Sequence, residues 1–330
     1  MHSNRLVAVC YQADDEYARI NKEVLGGDAS LEFLQRLPEA ARAAAARRAE
    51  VLIGWNPGRE LPAGVLDDAP ELRLVQLLSA GADTFDFASI PEQVLVAGNV
   101  GAYSEPIAEH VLAMTLALAR RLPQRHASMA AGQWNQSERL LTLDGAVCAI
   151  LGYGGIGAAT ARLLRAFGGR IYAVNTSGRV SDDVEFAGTL ADLDQVLAAA
   201  DVLVVATPLT NSTRGLIGAR ELALMKPTAI IVNVARGAII DEHALYEHLR
   251  QNPAFGAGID AWWDEPRGGD AFEVGHPFFE LPNVIGSPHN SGIVPGTIRR
   301  AARRAAENVL RYLRDEPVTG LMRREDYQLT

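Results

Sequence analysis

"LGYGGIG", Leu151–Gly157, lies between "LDGAVCAI" and "AATARLLRAF". Gly152, Gly154 and Gly157 fit the pattern GxGxxG. The apolar run Val147–Leu151 reads as a short buried strand, and Ile156, Thr160, Leu163, Leu164 and Phe167 recur at helical spacing. Strand, glycine turn and helix in that order is the setting a dinucleotide fingerprint requires. There the first glycine permits the turn, the second lets backbone approach a pyrophosphate, and the third lets helix and strand pack closely. The helix start at Gly155–Ala158 then offers N–H groups to an anion. The glycines alone would also suit a purely structural turn; the flanking strand and helix favour the phosphate. Tyr153, Gly155 and Ile156 complete the candidate cradle.

Outward from this turn the chain alternates. "VCAILG", "IYAVN", "VLVVATP", "AIIVNVA", "AGIDAW" and "VIGSPH" read as strands, separated by helices in "TLADLDQVLAAA", "GARELALMK" and "DEHALYEHLR". The first hundred residues repeat the theme. "LVAVC", "VLIGW", "LVQLLS" and "VLVAG" read as strands, "SLEFLQRL" and "PAGVLDDA" as helices, and "PEAARAAAARRAE" as an alanine-rich helix. Such alternation predicts parallel sheets with crossover helices. A long apolar helix opens at Pro106 and runs through Leu122, and a last one runs from near Pro295 through Leu313. The expectation is an α/β chain of two Rossmann-like domains. A dinucleotide-binding domain, residues 106–293, is inserted into a discontinuous substrate-binding domain, residues 1–105 and 294–330.

Composition narrows the classes. A net charge of −9 over 330 residues argues against nucleic-acid binding, which needs a concentrated basic surface. Two cysteines, Cys10 and Cys148, both in apolar strand-like runs, make no disulfide framework or zinc cluster. "MHSNRLVAVC" reads as a first strand rather than a leader, and no run is long and apolar enough to span a membrane. A cytoplasmic protein without a membrane partner is expected. The seven histidines are not spaced as a metal site, and none is expected.

The nucleotide is read at the end of "RIYAVN". An acidic residue there commonly bonds the adenosine ribose and disfavours a 2′-phosphate. Here Asn175 is followed by Thr176, Ser177, Gly178 and Arg179. The neutral amide, the hydroxyls and the guanidinium lean towards NADP. NAD stays a close alternative, because Asn175 can also bond a ribose and Arg179 can equally face solvent.

Three strand ends carry candidate chemistry: "VNVARG" with Arg236, "GIDAWWDEP" with Glu265, and "SPHNSG" with His289. Strand ends of a parallel sheet converge on its ligand crevice. Arg236 could bind a carboxylate and polarise a neighbouring carbonyl. His289 could donate a proton to that carbonyl oxygen as hydride arrives, and Glu265 could orient the imidazole and favour its protonated form. Taken singly, the three equally suit a surface ion pair, a solvated loop acid and a hydrogen-bonded turn. Their joint occurrence downstream of GxGxxG selects the reduction of a 2-oxo acid.

These segments, with "VVATPLTNSTRGLI", "MKPTAIIVNVARGAIIDEHAL", "LLSAGADTFD" and "GNVGAYSEPIAEHVLAM", resemble the D-isomer-specific 2-hydroxyacid dehydrogenase family over most of the chain. The resemblance implies hydride transfer between a nicotinamide dinucleotide and a small 2-oxo acid, in the manner of glyoxylate/hydroxypyruvate reductases, usually by a homodimer. It implies a substrate-binding arginine at Arg236, its acidic partner at Glu265 and an acid–base at His289. It places substrate-binding backbone N–H groups at Ala80 and Gly81. Thr207, Pro208, Val234, Ala235 and Asp260 fall beside the cofactor, with Asp260 at its nicotinamide amide. Two departures stand out: Asn175 replaces the NAD-selecting aspartate, and "RGGDAFEVGHPFFE" lengthens the spacing from Glu265 to His289. The role of this 266–280 loop is open. Trp262 and Trp263 either line the substrate mouth or pack in the core, and His276 is the one other histidine whose loop could approach substrate. A dinucleotide-sensing corepressor and a phosphite-oxidising dehydrogenase are the competing functions.

Overall fold

The computed structural model describes residues 5–266 and 270–327; Arg267–Gly269 of the lengthened loop and Met1–Asn4 before the first strand lie outside them. The chain divides into two compact units, Met1–Tyr103 with Pro295–Thr330, and Ser104–Val294.

In the first unit the elements run β1 Leu6–Val9, α1 Asp15–Leu25, β2 Ser30–Phe33, α2 Glu39–Arg48, β3 Val51–Gly54, α3 Pro57–Glu60, β4 Leu74–Leu77 and β5 Leu95–Ala97, with the last helix Thr297–Leu313 joining from the far end of the chain. The sheet is parallel, in the order β2-β1-β3-β4-β5. Ala8, Leu52 and Val75 pack on one face with Ala45 and Ala46 of α2. Val7, Val9, Val51 and Ile53 pack on the other with Ala305, Ala306 and Val309 of the last helix.

Two segments expected to be helical are not. "SLEF" is the edge strand β2, in register with β1 from Leu6↔Ser30 to Val9↔Phe33, followed by a single 3-10 turn Leu34–Arg36. The leucines at 31, 34 and 37 imitate a helical face, and pairing with β1 overrides it. "PAGVLDDA" forms only the 3-10 turn Leu66–Asp68, preceded by Gly64 at φ +76°. Helix α1 is capped by Asp14, which accepts from Tyr17 N–H at 2.8 Å.

The second unit runs α4 Ser104–Ala119, α5 Leu122–Ala130, β6 Val147–Leu151, α6 Gly155–Ala166, β7 Arg170–Val174, β8 Phe186–Gly188, α7 Leu193–Ala199, β9 Val202–Val205, α8 Ala219–Leu224, β10 Ile230–Asn233, α9 Glu242–Gln251, β11 Gly256–Ile259 and β12 Val284–Gly286. Its parallel sheet is ordered β12-β11-β10-β9-β6-β7-β8. Neighbouring residues of a strand serve opposite faces. Cys148 and Ile150 meet Met114 and Leu118 of α4, whereas Ala149 and Leu151 meet Val196 and Leu197 of α7. Burial on both faces is why these strands read as unbroken apolar runs. The helix expected over Pro106–Leu122 is two helices. α4 ends at Ala119, Arg121 adopts φ +48°, and Pro123 sits in the first turn of α5, where proline starts a helix rather than continuing one. Among the described residues no helix is long and apolar enough to cross a membrane.

Candidate active site

The chain order of the second sheet reverses between β6 and β9, and in open parallel sheets ligands bind at the carboxyl ends of the strands flanking such a reversal. The glycine turn leaves β6 there, beside the turn after β9, where Ala206 N–H donates to Leu151 O at 2.8 Å. Each glycine has a distinct steric reason. Gly152 has φ +98°, and a Cβ on it would lie 2.4 Å from Thr207 N. A Cβ on Gly157 would lie 2.2 Å from Gly152 O, so the third glycine lets α6 press on the turn. Around Gly154 a Cβ would meet nothing within 4 Å, and no side chain caps α6. Gly154 therefore stands where room and unclaimed N–H groups coincide, as a pyrophosphate needs. The residues fit a dinucleotide.

Tyr153 reaches from this loop to Asp182, its hydroxyl donating to Oδ2 at 2.8 Å; burial and the carboxylate push the phenol up to about 12. At the end of β7, Asn175 Oδ1 accepts from Ser177 N–H at 3.0 Å and its Oγ at 3.1 Å, while Nδ2 donates to Arg179 O at 2.8 Å. The amide thus shapes the loop through Gly178, at φ +64°, and both Thr176 and Arg179 are exposed. Thr213 Oγ1 donates to Pro208 O at 2.7 Å and fixes the loop beyond Thr207.

Arg236, Glu265 and His289 come together at the ends of β10, β11 and β12. Buried Asn233 sets the first turn: its Oδ1 accepts from Ala235 N–H at 3.0 Å and its Nδ2 donates to Arg236 O at 2.9 Å. Val234 and Ala235 in this turn are buried. Gly237 brings the turn against the Trp262–Trp263 backbone, since a Cβ there would lie 2.3 Å from Trp262 C. The two Glu265 oxygens stand 2.7 and 2.9 Å from His289 Nδ1, and Oε1 also accepts from Trp262 N–H at 3.1 Å. Burial alone would raise the Glu265 carboxyl. The His289 hydrogen bond and charge, the Trp262 N–H and the Arg236 charge outweigh it and hold the carboxyl below its ordinary value. With Nδ1 clasped, Nε2 is the ring atom left to exchange a proton with substrate.

His289 itself sits at φ +48°, unusual for a residue with a side chain. Asp260, fully buried, holds this bend. Its backbone oxygen accepts from His289 N–H at 2.9 Å, Oδ1 from Ser287 Oγ at 2.5 Å and Asn290 N–H at 3.2 Å, and Oδ2 from Ser291 N–H at 3.3 Å. Ser287 Oγ in turn lies 2.9 Å from His110 Nε2 on α4. The sequence gives no sign of this partnership beyond a polar ring interrupting the apolar run of α4.

A family model described as D-isomer specific 2-hydroxyacid dehydrogenase, NAD binding domain, matches residues 112–291. The chain belongs to the D-isomer-specific 2-hydroxyacid dehydrogenase family. It is 34% identical over 311 residues to glyoxylate/hydroxypyruvate reductase B of Pectobacterium carotovorum subsp. carotovorum, covering 92% of this chain and 93% of that one. It is 33% identical over 292 residues to glyoxylate reductase of Aeropyrum pernix, covering 85% and 84%. Among solved structures it is similar to a D-isomer specific 2-hydroxyacid dehydrogenase from Xanthobacter autotrophicus Py2 in complex with NADPH and MES. That match has a TM-score of 0.75 at 27% identity and covers 98% and 100% of the two chains.

The chain is therefore an NAD(P)-dependent D-2-hydroxyacid dehydrogenase, a 2-oxoacid reductase in the opposite direction. The two tryptophans of this dehydrogenase pack rather than line an opening. Trp262 is 5% exposed among Phe272, Phe278 and Phe279 and donates from its indole to Ser287 O at 2.8 Å; Trp263 donates to Ile240 O at 2.6 Å. His276 stacks on Tyr246 with ring centroids 4.9 Å apart. Ala80 and Gly81 lie in the first unit, just beyond β4, where Ser79 Oγ donates to Gly81 O at 2.8 Å.

Proposed function

We propose that this dehydrogenase works as a reductase of small 2-oxo acids, of the glyoxylate and hydroxypyruvate class, with NADPH preferred over NADH. The observation that carries the chemistry is the double contact of Glu265 with His289 Nδ1, at 2.7 and 2.9 Å, beside the positive charge of Arg236. Arg236 binds the substrate carboxylate, and its guanidinium draws electron density from the adjacent carbonyl. His289 donates its Nε2 proton to the carbonyl oxygen, and in alcohol oxidation the same nitrogen takes the proton back. Glu265 compensates the positive ring and fixes its orientation. The dinucleotide, held by Gly152–Gly157, Asn175–Arg179, Thr207, Pro208, Val234, Ala235 and Asp260, supplies the hydride when bound. The substrate class is supported by the names of the Pectobacterium and Aeropyrum relatives.

NADPH preference rests on Asn175. Its neutral amide puts no negative charge at the end of β7, and its hydrogen bonds bend the loop that carries Ser177 and the exposed Arg179. A guanidinium offers a 2′-phosphate two directed donors. We assign the enzyme to the cytoplasm and to a homodimer. No residue of α5 is buried, and Leu122, Met129 and Trp134 are exposed by 55%, 54% and 72%, an apolar surface a second copy would cover.

Purified enzyme assayed with glyoxylate, hydroxypyruvate, pyruvate and phosphite, with each cofactor, tests the proposal. Turnover on the first two is expected, and Arg179→Ala should reduce kcat/KM for NADPH while leaving NADH nearly unchanged. Wild-type preference for NADH would overturn the cofactor assignment, and no turnover on any 2-oxo acid the substrate class. Solution mass distinguishes dimer from monomer.

A further inference from the structure

Asp260 is a buried carboxylate that the proton transfer does not use, and what it does is hold the histidine-bearing bend. Burial alone would raise its carboxyl. The bonds from Ser287 and Ser291 and the nearby His110 outweigh that and hold it below its ordinary value, so it is ionised and only accepts. The proton between Ser287 Oγ and Asp260 Oδ1, 2.5 Å apart, therefore belongs to the serine. Having given its only proton away, Ser287 Oγ accepts from His110, 2.9 Å away, which requires a proton on His110 Nε2. The result is a directed chain, His110 to Ser287 to Asp260, and the same carboxylate receives Asn290 N–H and Ser291 N–H on the far side of His289. His110 Nε2 also lies 3.8 Å from Asp260 Oδ1.

We propose that His110, on α4, is a positioning residue for the reaction: through Ser287 and Asp260 it fixes the left-handed bend that presents His289. The inference rests on the acid–base role given to His289. The bend is strained for a residue with a side chain, so it persists only while its surroundings hold it. Removing the Nε2–H leaves Ser287 Oγ without its donor, frees its hydroxyl to turn, and loosens the carboxylate that caps residues 287–291. His289 would then occupy its productive orientation for a smaller part of the time.

The test compares His110→Phe, His110→Gln, Ser287→Ala and the double variant His110→Phe/Ser287→Ala with wild type and His289→Ala. Amide hydrogen exchange at Asn290 and Ser291 is read without dinucleotide, and kcat and KM with a 2-oxo acid. His110→Phe fills the same space without a donor. Exchange at both amides should accelerate on the order of tenfold, the loss of about one buried hydrogen bond, and kcat should fall by a similar factor with KM within about twofold. His110→Gln, whose amide also donates, should recover most of both. Ser287→Ala guards against a variant that does not fold. It should give the same pattern, and the double variant should be no worse than the single ones, as for residues in one chain. Unchanged exchange in His110→Phe and Ser287→Ala, absence of rescue by glutamine, or additive losses would each overturn the proposal. An active His289→Ala would instead overturn the acid–base role, and the exchange data would still decide whether His110 holds the bend.

Discussion

Replacing the glycines of the β6–α6 turn one at a time separates folding from dinucleotide binding. Gly154 has φ −93°, open to any residue, and an added Cβ meets nothing within 4 Å. Alanine there restricts the unfolded chain, a gain of about 0.4–1 kcal/mol, and is a poorer helix N-cap than glycine by a comparable amount. Net stability of Gly154→Ala should therefore stay within ~1 kcal/mol of wild type, a shift of about 2–4 °C in Tm for a domain of this size. Gly157→Ala places a Cβ 2.2 Å from Gly152 O and 3.1 Å from Ile150 Cγ2, where backbone must move. Overpacking of this kind costs about 1–3 kcal/mol, so Tm should fall by roughly 2–12 °C. The order reverses for binding. The methyl of Gly154→Ala occupies the space assigned to the pyrophosphate and removes at least one charge-assisted N–H contact, worth about 1.5–3 kcal/mol. Kd for NADPH should rise by on the order of 10- to 100-fold. Thermal unfolding without nucleotide and calorimetric titration with it measure the two quantities separately. A Gly154→Ala protein that binds NADPH as wild type does would refute the placement of the pyrophosphate, whatever its Tm.

The pair at the ends of β11 and β12 gives a pH test. The Glu265 carboxyl is held below its ordinary 4.5, so the stability it contributes is fully present above that value and is lost as pH falls through the lowered folded value. Glu265→Gln removes the titrating group, so the stability gap to wild type should be greatest near neutrality and close on acidification; urea midpoints across the acid range measure it. The same variant should lower the reduction rate, because a neutral amide accepts a weaker hydrogen bond from His289 Nδ1 than the carboxylate does. Arg236→Lys should keep the charge but lose the planar two-pronged contact, raising KM for the 2-oxo acid and recovering only part of the rate lost in Arg236→Ala.

How much of this was legible depended on where the information lay. Strands β6, β9, β10 and β11 are buried on both faces, and their composition announces them. The glycine spacing and the polar residues after β10, β11 and β12 are local strings, readable as they stand. β2 was not legible, because its four residues open a run with leucines at 31, 34 and 37, a helix-like spacing that pairing with β1 overrides. The break between α4 and α5 turned on Arg121, whose φ of +48° no residue type at that position advertises. Least legible was the partnership of His110 with Ser287, 177 residues apart, which exists only once α4 is laid against the sheet.

The joining of the last helix to the first unit has a consequence for synthesis. Val7, Val9, Val51, Ile53 and Leu74 form one apolar face of the first sheet, and Ala305, Ala306, Val309 and Leu313 contribute to its cover. The strands leave the ribosome before the whole of the second unit, and this part of their cover leaves after it. The second unit, an uninterrupted stretch of chain, has all its own elements in hand before Thr297–Leu313 exists. Translation therefore completes the two units in the reverse of the order in which it begins them. During that interval the nascent amino-terminal sheet exposes an aliphatic surface, and a stalled or truncated chain ending near Val294 would keep that surface permanently and be an aggregation-prone species.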